Sequence, residues 1–156
     1  MKQYKELKLA YTAGFIDGEG FIGLVKENRT IPRGKSKQYT LRVAVGQQDG
    51  EIMDWLVGNF GGYIHNVKRD NSYMWQLTTK KAYYFLKEIE PFLKYKRSQA
   101  RLAIRFYERH LIGNEKRRYQ QLSQIELQKR EELYQELKNL KKVFRKPVNF
   151  AAVETK

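Results

Sequence analysis

The spacing of apolar residues changes in a set order along the first two thirds of the chain, and that order restricts the fold more than any single residue does. Across residues 6–17, Leu7, Ala10, Tyr11, Ala13, Gly14 and Phe15 recur at helical spacing, and Gly18-Glu19-Gly20 ends the run. Residues 21–25 and 39–45 then alternate or run apolar as strands do, joined by a polar connection that contains Pro32 and Gly34. A short helix is predicted over 49–60 from Ile52, Met53, Trp55, Leu56 and Phe60, with Gly61-Gly62 as its stop. A second strand pair, 63–68 and 73–77, turns through Arg69-Asp70-Asn71-Ser72, and two helices over 81–89 and 96–107 are separated by Pro91. This α-β-β-α-β-β-α order predicts an α+β fold, a four-stranded antiparallel sheet backed by helices. In the second strand Leu41, Val43 and Val45 face the helices, which sends Gln38, Thr40 and Arg42 to the open face. The aromatics Trp55, Trp75, Tyr83, Tyr84 and Phe85 are assigned to the core.

A chain of 156 residues supports one domain with a substantial core. The expected division is a core over 1–112, a helical C-terminal extension of the same domain over 113–146, and a tail over 147–156. Between 115 and 143 the composition shifts to charged residues and glutamine, with Leu122, Ile125, Leu133, Leu137 and Leu140 as an irregular apolar stripe. Its positive charges are interleaved with Glu126, Glu131, Glu132 and Glu136, the pattern of an amphipathic helix packed on the body.

Charge narrows the partners. Lysine and arginine outnumber the acids 31 to 17, a net charge of +14 that suits a polyanion. Between Lys26 and Arg42 the bias is sharper: Lys26, Arg29, Arg33, Lys35, Lys37 and Arg42 stand against the single acid Glu27. No run of eighteen apolar residues predicts a membrane span, and Met1-Lys2-Gln3-Tyr4-Lys5 opens no signal peptide, so an intracellular protein of undetermined compartment is expected. Without cysteine there is no thiol nucleophile and no cysteine-held zinc, and His65 and His110 alone make a poor histidine site. A metal in this chain would rest on carboxylate oxygen, which favours a hard cation such as magnesium.

Ala10, Gly14 and Gly18 recur every four positions, spacing that lets a second helix approach closely, and Glu19 follows at the helix end between two glycines. The segment Thr12-Ala13-Gly14-Phe15-Ile16-Asp17-Gly18-Glu19-Gly20 resembles the signature of the LAGLIDADG homing endonucleases. Val45-Gly46-Gln47-Gln48-Asp49 is similar to the family's strand-end glutamine segment, and Pro91-Phe92-Leu93-Lys94-Tyr95-Lys96-Arg97-Ser98-Gln99-Ala100 to its downstream proline, lysine and glutamine segment. Together the resemblance covers residues 7–112.

The resemblance implies that Glu19 binds metal, with the Gly18 carbonyl as an additional ligand. The family more often carries aspartate here, and the extra methylene of glutamate shifts the ligand. Gln47 would order water near the scissile phosphate, and Lys96 would stabilise developing phosphate charge or tune the attacking water. The implied cofactor is Mg2+, with Mn2+ also supporting activity. Asp17 is expected to make a structural hydrogen bond or salt bridge. With one motif in the sequence, the implied enzyme is an intron-encoded homodimer whose first helices pack through Ala10, Ala13, Gly14, Asp17 and Gly18. It would make double-strand breaks in a long palindromic or pseudo-palindromic site in double-stranded DNA. Base readers would be Arg29, Gln38, Thr40 and Arg42 from the first hairpin and His65, Lys68, Arg69 and Gln76 from the second, with Arg33, Lys35 and Lys37 near the hairpin tip on phosphates or flanking bases. Two other readings stay open: an intron maturase-like RNA-binding protein and a DNA-binding regulator that does not cleave.

Overall fold

Helix α1 (Lys2–Glu19) passes into strand β1 (Gly20–Ile31) without a loop. Glycine permits that junction, because a Cβ at position 20 would lie 2.7 Å from the Ile16 carbonyl oxygen. The computed structural model describes residues 2–32, 34–112 and 121–143. After β1 come β2 (Gly34–Gln47), α2 (Gly50–Phe60), β3 (Tyr63–Val67), β4 (Ser72–Thr78), α3 (Thr79–Ile89), a single 3-10 turn (Glu90–Phe92), α4 (Arg97–His110) and α5 (Gln124–Val143). The strands form one antiparallel sheet in the order β1-β2-β4-β3, so the expected α+β architecture and its four-stranded sheet are present.

The first hairpin is longer than its apolar pattern suggests. Pairing runs from Gly20↔Val45 out to Ile31↔Gly34, so most of the polar connection expected between the strands is itself strand. At its far end the hairpin carries polar side chains on both faces, and these give no apolar alternation although their backbones pair fully.

On the helix-facing side, Ile22, Leu24, Leu41, Val43, Val45, Trp75 and Leu77 are buried against Ile16 of α1, Leu86 and Ile89 of α3, and Ala103 and Phe106 of α4. Each large side chain removed from water there contributes about 1.5–3 kcal/mol. Trp75 is fully buried, and its indole N–H donates to the Gly61 carbonyl at 2.8 Å. Asp49 caps α2, its carboxylate accepting from the Glu51 N–H at 2.8 Å. Tyr84 departs from its core assignment and is 57% exposed. Its neighbours Ala82, Tyr83, Phe85 and Leu86 occupy the buried side of α3, and the helical period turns position 84 outward.

Helix α5 lies against α4 and β1. Leu137 is buried, and the buried Arg130 donates to the His110 carbonyl at 2.9 Å and to Glu126 at 2.7 Å. Glu131 accepts from Lys26 at 2.8 Å and from the Tyr39 hydroxyl, which straps α5 to the first hairpin. Ile125, one of the expected apolar stripe, is 69% exposed. Residues 113–120 and 144–146 of the expected extension, the 147–156 tail and Arg33 lie outside the described residues. No described helix is long and apolar enough to cross a membrane.

Candidate active site

The segment that follows the 3-10 turn is held against the end of α1 by one carboxylate. Asp17 accepts three backbone N–H groups, from Lys94 at 2.7 Å, Tyr95 at 3.1 Å and Lys96 at 2.8 Å. The Lys96 side chain returns the contact, its Nζ donating to the carbonyls of Ile16 and Asp17 at 2.7 Å each. A cation at a helix C-terminus satisfies orphan carbonyls and meets the negative end of the dipole. Burial draws the Lys96 ammonium below the usual lysine range, while the charges of Asp17 and Glu19 work against that shift. Lys96 and the exposed Glu19 thus share one electrostatic neighbourhood.

Gln47 reaches the same end of the sheet by strand register. Gly20 pairs with Val45, so Glu19 and Gln47 flank that pair at the open end of the β1–β2 hairpin. Gln47 is half-buried and pairs with Tyr73 across β4. Among the described residues no group of three or more acids and histidines could hold a metal. One carboxylate at the negative end of a helix, with the Gly18 carbonyl next to it in sequence, is a sparse donor set. It fits magnesium, which keeps several waters and takes phosphate oxygen, better than it fits a cation needing a full protein cage.

The sheet face away from the helices carries much of the expected recognition set. Register puts Arg29, Gln38, Thr40, Arg42, His65 and Gln76 on that face. Buried polar atoms there lack partners among the described residues, namely Gln38 Nε2, Arg42 Nε and Gln76 Oε1. Glu27 draws Arg42 to 3.5 Å and Arg29 to 3.9 Å, so this acid shares the face with the basic residues. Gln76 differs from an exposed reader. It is 5% exposed and its amide meets the hydroxyl of Tyr63, so Tyr63 is the more accessible of the two. Lys35 and Lys37 pair with Thr30 and Asn28 and fall on the opposite side of the hairpin, the side of Lys26 and Tyr39. Lys68 and Arg69 sit in the β3–β4 turn, where Arg69 pairs with Asp70 at 2.9 Å. A cavity of about 500 Å³ opens on the polar face, and its lining adds Tyr63, Lys80 and Lys81 to the sequence-derived residues. For the two lysines the signal was a basic pair just after β4, of which Lys81 is the expected start of a helix.

The expected interface helix presents two unlike faces. Ala13 is fully buried within the chain's own core, so it cannot meet a partner helix, and the Asp17 carboxylate is already engaged inside the chain. Ala10, Gly14 and Gly18 are exposed, with Leu7 62% and Tyr11 56% exposed on the same side of α1. A Cβ at Gly14 or Gly18 would meet nothing within 4 Å.

Residues 12–107 match the family model described as LAGLIDADG endonuclease. The DNA endonuclease I-CreI of Chlamydomonas reinhardtii is 32% identical over 108 residues, spanning 68% of this chain and 66% of that protein. Among solved structures, the homing endonuclease I-CvuI in complex with an I-CreI target superposes with a TM-score of 0.74 at 20% identity, covering 88% of this chain and 83% of that one. The archaeal intron-encoded homing endonuclease I-Vdi141I complexed with DNA gives 0.70 at 20% identity, covering 86% and 84%. At that level of identity these two complexes speak to the fold. With the family model spanning more than half of the sequence, the chain belongs to the LAGLIDADG endonuclease family.

Proposed function

We propose that this protein is a site-specific homing endonuclease that makes double-strand breaks in a palindromic or nearly palindromic DNA site, as a homodimer, by metal-dependent phosphodiester hydrolysis. What supports this reading is that Glu19 and Lys96 share one electrostatic neighbourhood and that strand register brings Gln47 to the same end of the hairpin, whose polar face is lined by Arg29, Thr40 and Arg42. A binder has no need of an acid close to the phosphate, where it repels.

Hydrolysis forms a bond from a water oxygen to phosphorus and breaks one from phosphorus to a sugar oxygen. The water gives up a proton to solvent, and the leaving oxygen takes one. Glu19, with the Gly18 carbonyl, would hold Mg2+ or Mn2+, which when bound relieves phosphate charge and makes water a better nucleophile. Gln47 orients that water from the strand end. Lys96, pinned by two carbonyls, would meet the phosphate with little freedom left to lose. Asp17 is a positioning residue, because its three N–H bonds set the Lys96 backbone.

The exposed Leu7, Ala10, Tyr11, Gly14 and Gly18 support a second copy of α1 as the partner, since packing within one chain gives no reason for glycine at 14 or 18. Two-fold pairing there would put a Glu19 from each chain near the axis, one for each strand. The test is incubation of the protein with a randomised double-stranded DNA library, with magnesium or with chelator, followed by sequencing of cut ends. Metal-dependent cuts at palindromic sites are expected. Tight RNA binding with no cleavage in magnesium or manganese would point to the maturase-like reading instead.

A further inference from the structure

The strongest unabsorbed feature is a lysine from the C-terminal helix. Lys141, near the end of α5, lies over the Phe21 ring with Nζ 3.7 Å from its centroid. Phe21 is two residues from Glu19, and its strand partner is Ala44, so the ring sits at the catalytic end of the hairpin. The lysine fits there because position 23 has no side chain. A Cβ on Gly23 would come within 2.6 Å of Lys141 Nζ and 2.7 Å of the Phe21 ring. Phe21 and Gly23 are on the outer face of β1, in register with Ala44 and Arg42, the face that carries the recognition residues.

We propose that Lys141 is a second phosphate-binding residue of the active site, so that α5 completes the catalytic centre that α1 and the Lys94–Lys96 segment begin. The inference rests on the nuclease reading of that site. No ion pair among the described residues involves Lys141, and a cation over an aromatic face is restrained without being neutralised. Burial and the repulsion of Lys96 hold its ammonium down to about 8. Asp17 and Glu19 offset part of the charge of Lys96, and the repulsion left between the two ammonium groups is relieved by an arriving anion. Lys96 and Lys141 would contact non-bridging oxygens of the scissile phosphate or of the one next to it. The strap of Glu131 to Lys26 and Tyr39 fixes α5 on the hairpin and thereby aims Lys141.

The experiment uses the full chain and a duplex that the wild type cuts, with a second duplex bearing a neutral methylphosphonate at the scissile position and a third bearing it one position away. Lys141→Met is expected to lower the single-turnover rate at saturating DNA tenfold or more, with an unchanged melting temperature. Lys141→Arg should recover part of that loss, and Gly23→Ala, which displaces the ammonium while keeping its charge, should reproduce much of it. Wild type should lose more affinity than Lys141→Met on one of the two methylphosphonate duplexes, which identifies the oxygen contacted. A Lys141→Met rate within twofold of wild type, or equal affinity losses on both duplexes, overturns the inference and leaves the nuclease reading standing. If the wild type cuts no duplex, the nuclease reading fails and this inference falls with it.

Discussion

Asp17 links the two halves of the candidate site, and its carboxylate holds three backbone N–H groups that no solvent-exposed loop would order by itself. Asp17→Ala is expected to cost about 1–3 kcal/mol of stability, the usual penalty for stranding bonded donors. It should also slow cleavage, since Lys96 loses its fixed backbone. Equal melting temperatures for variant and wild type would remove Asp17 from this role. Lys96→Met differs in kind, because it removes the charge and leaves the Asp17 bonds to the backbone. Its expected result is a DNA affinity reduced severalfold and a single-turnover rate reduced about a hundredfold. A loss confined to binding would make Lys96 a phosphate anchor only. At this scale the sequence was informative where a motif was local. Glu19 and its flanking glycines stand out as a local motif, whereas the proposed Lys141 stands more than a hundred residues from Glu19 and carries no local signal. Tyr84 is expected in the core on aromatic character and is exposed, and Ala13 is expected at the interface on the motif and is buried, because neither signal says which side of a helix the chain covers.

Helix α1 is apolar on two sides, with Leu9, Ala13 and Ile16 inward and Leu7, Ala10 and Tyr11 outward. If the outward side meets a second α1, Gly14→Leu should leave the protomer folded, since its side chain meets nothing in its own chain, and abolish the dimer. Sedimentation at micromolar concentration measures this, and an unchanged dimer would move the interface elsewhere. Helix α5 gives a pH prediction. Hydrogen bonds to Glu131 from Lys26, then Tyr39 and Gln135, hold its carboxyl down to about 2 from the usual 4.5. A depressed carboxyl contributes stability that is complete above pH 4.5 and lost as pH falls toward 2. Because Glu131 is partly solvent-exposed, screening keeps the effect near about 1 kcal/mol. Glu131→Gln should therefore show a smaller drop in melting temperature from pH 5 to pH 2.5 than wild type, and parallel drops would contradict the strap. The order of elements and the inward register of Leu41, Val43 and Val45 were legible because burial writes itself as alternation. Strand lengths were not, since Asn28, Thr30, Lys35 and Lys37 pair through their backbones while looking polar.

Across the whole molecule, +14 of charge must be reconciled with the site-specific cleavage proposed for it. Positive charge by itself gives binding that any sequence satisfies, and log affinity for DNA is expected to fall with log salt at a slope of about −5 or steeper. If the outer face reads bases as proposed, the unpartnered atoms of Gln38 and Arg42 are its readers, and Arg42 must leave Glu27 to reach the bases. Glu27→Gln should raise affinity for unrelated DNA more than for the cut site, measured as the ratio of the two at fixed salt; a constant ratio would make Glu27 a bystander. On the proposed reading, the acid at the end of α1 is what lets this scaffold cut. The most direct measurement is linearisation of a plasmid carrying a selected site, in magnesium, by wild type and by Glu19→Gln at equal occupancy of the DNA. The account predicts linear product from wild type and intact, fully bound plasmid with the variant. Linearisation at similar rates by both proteins would contradict it.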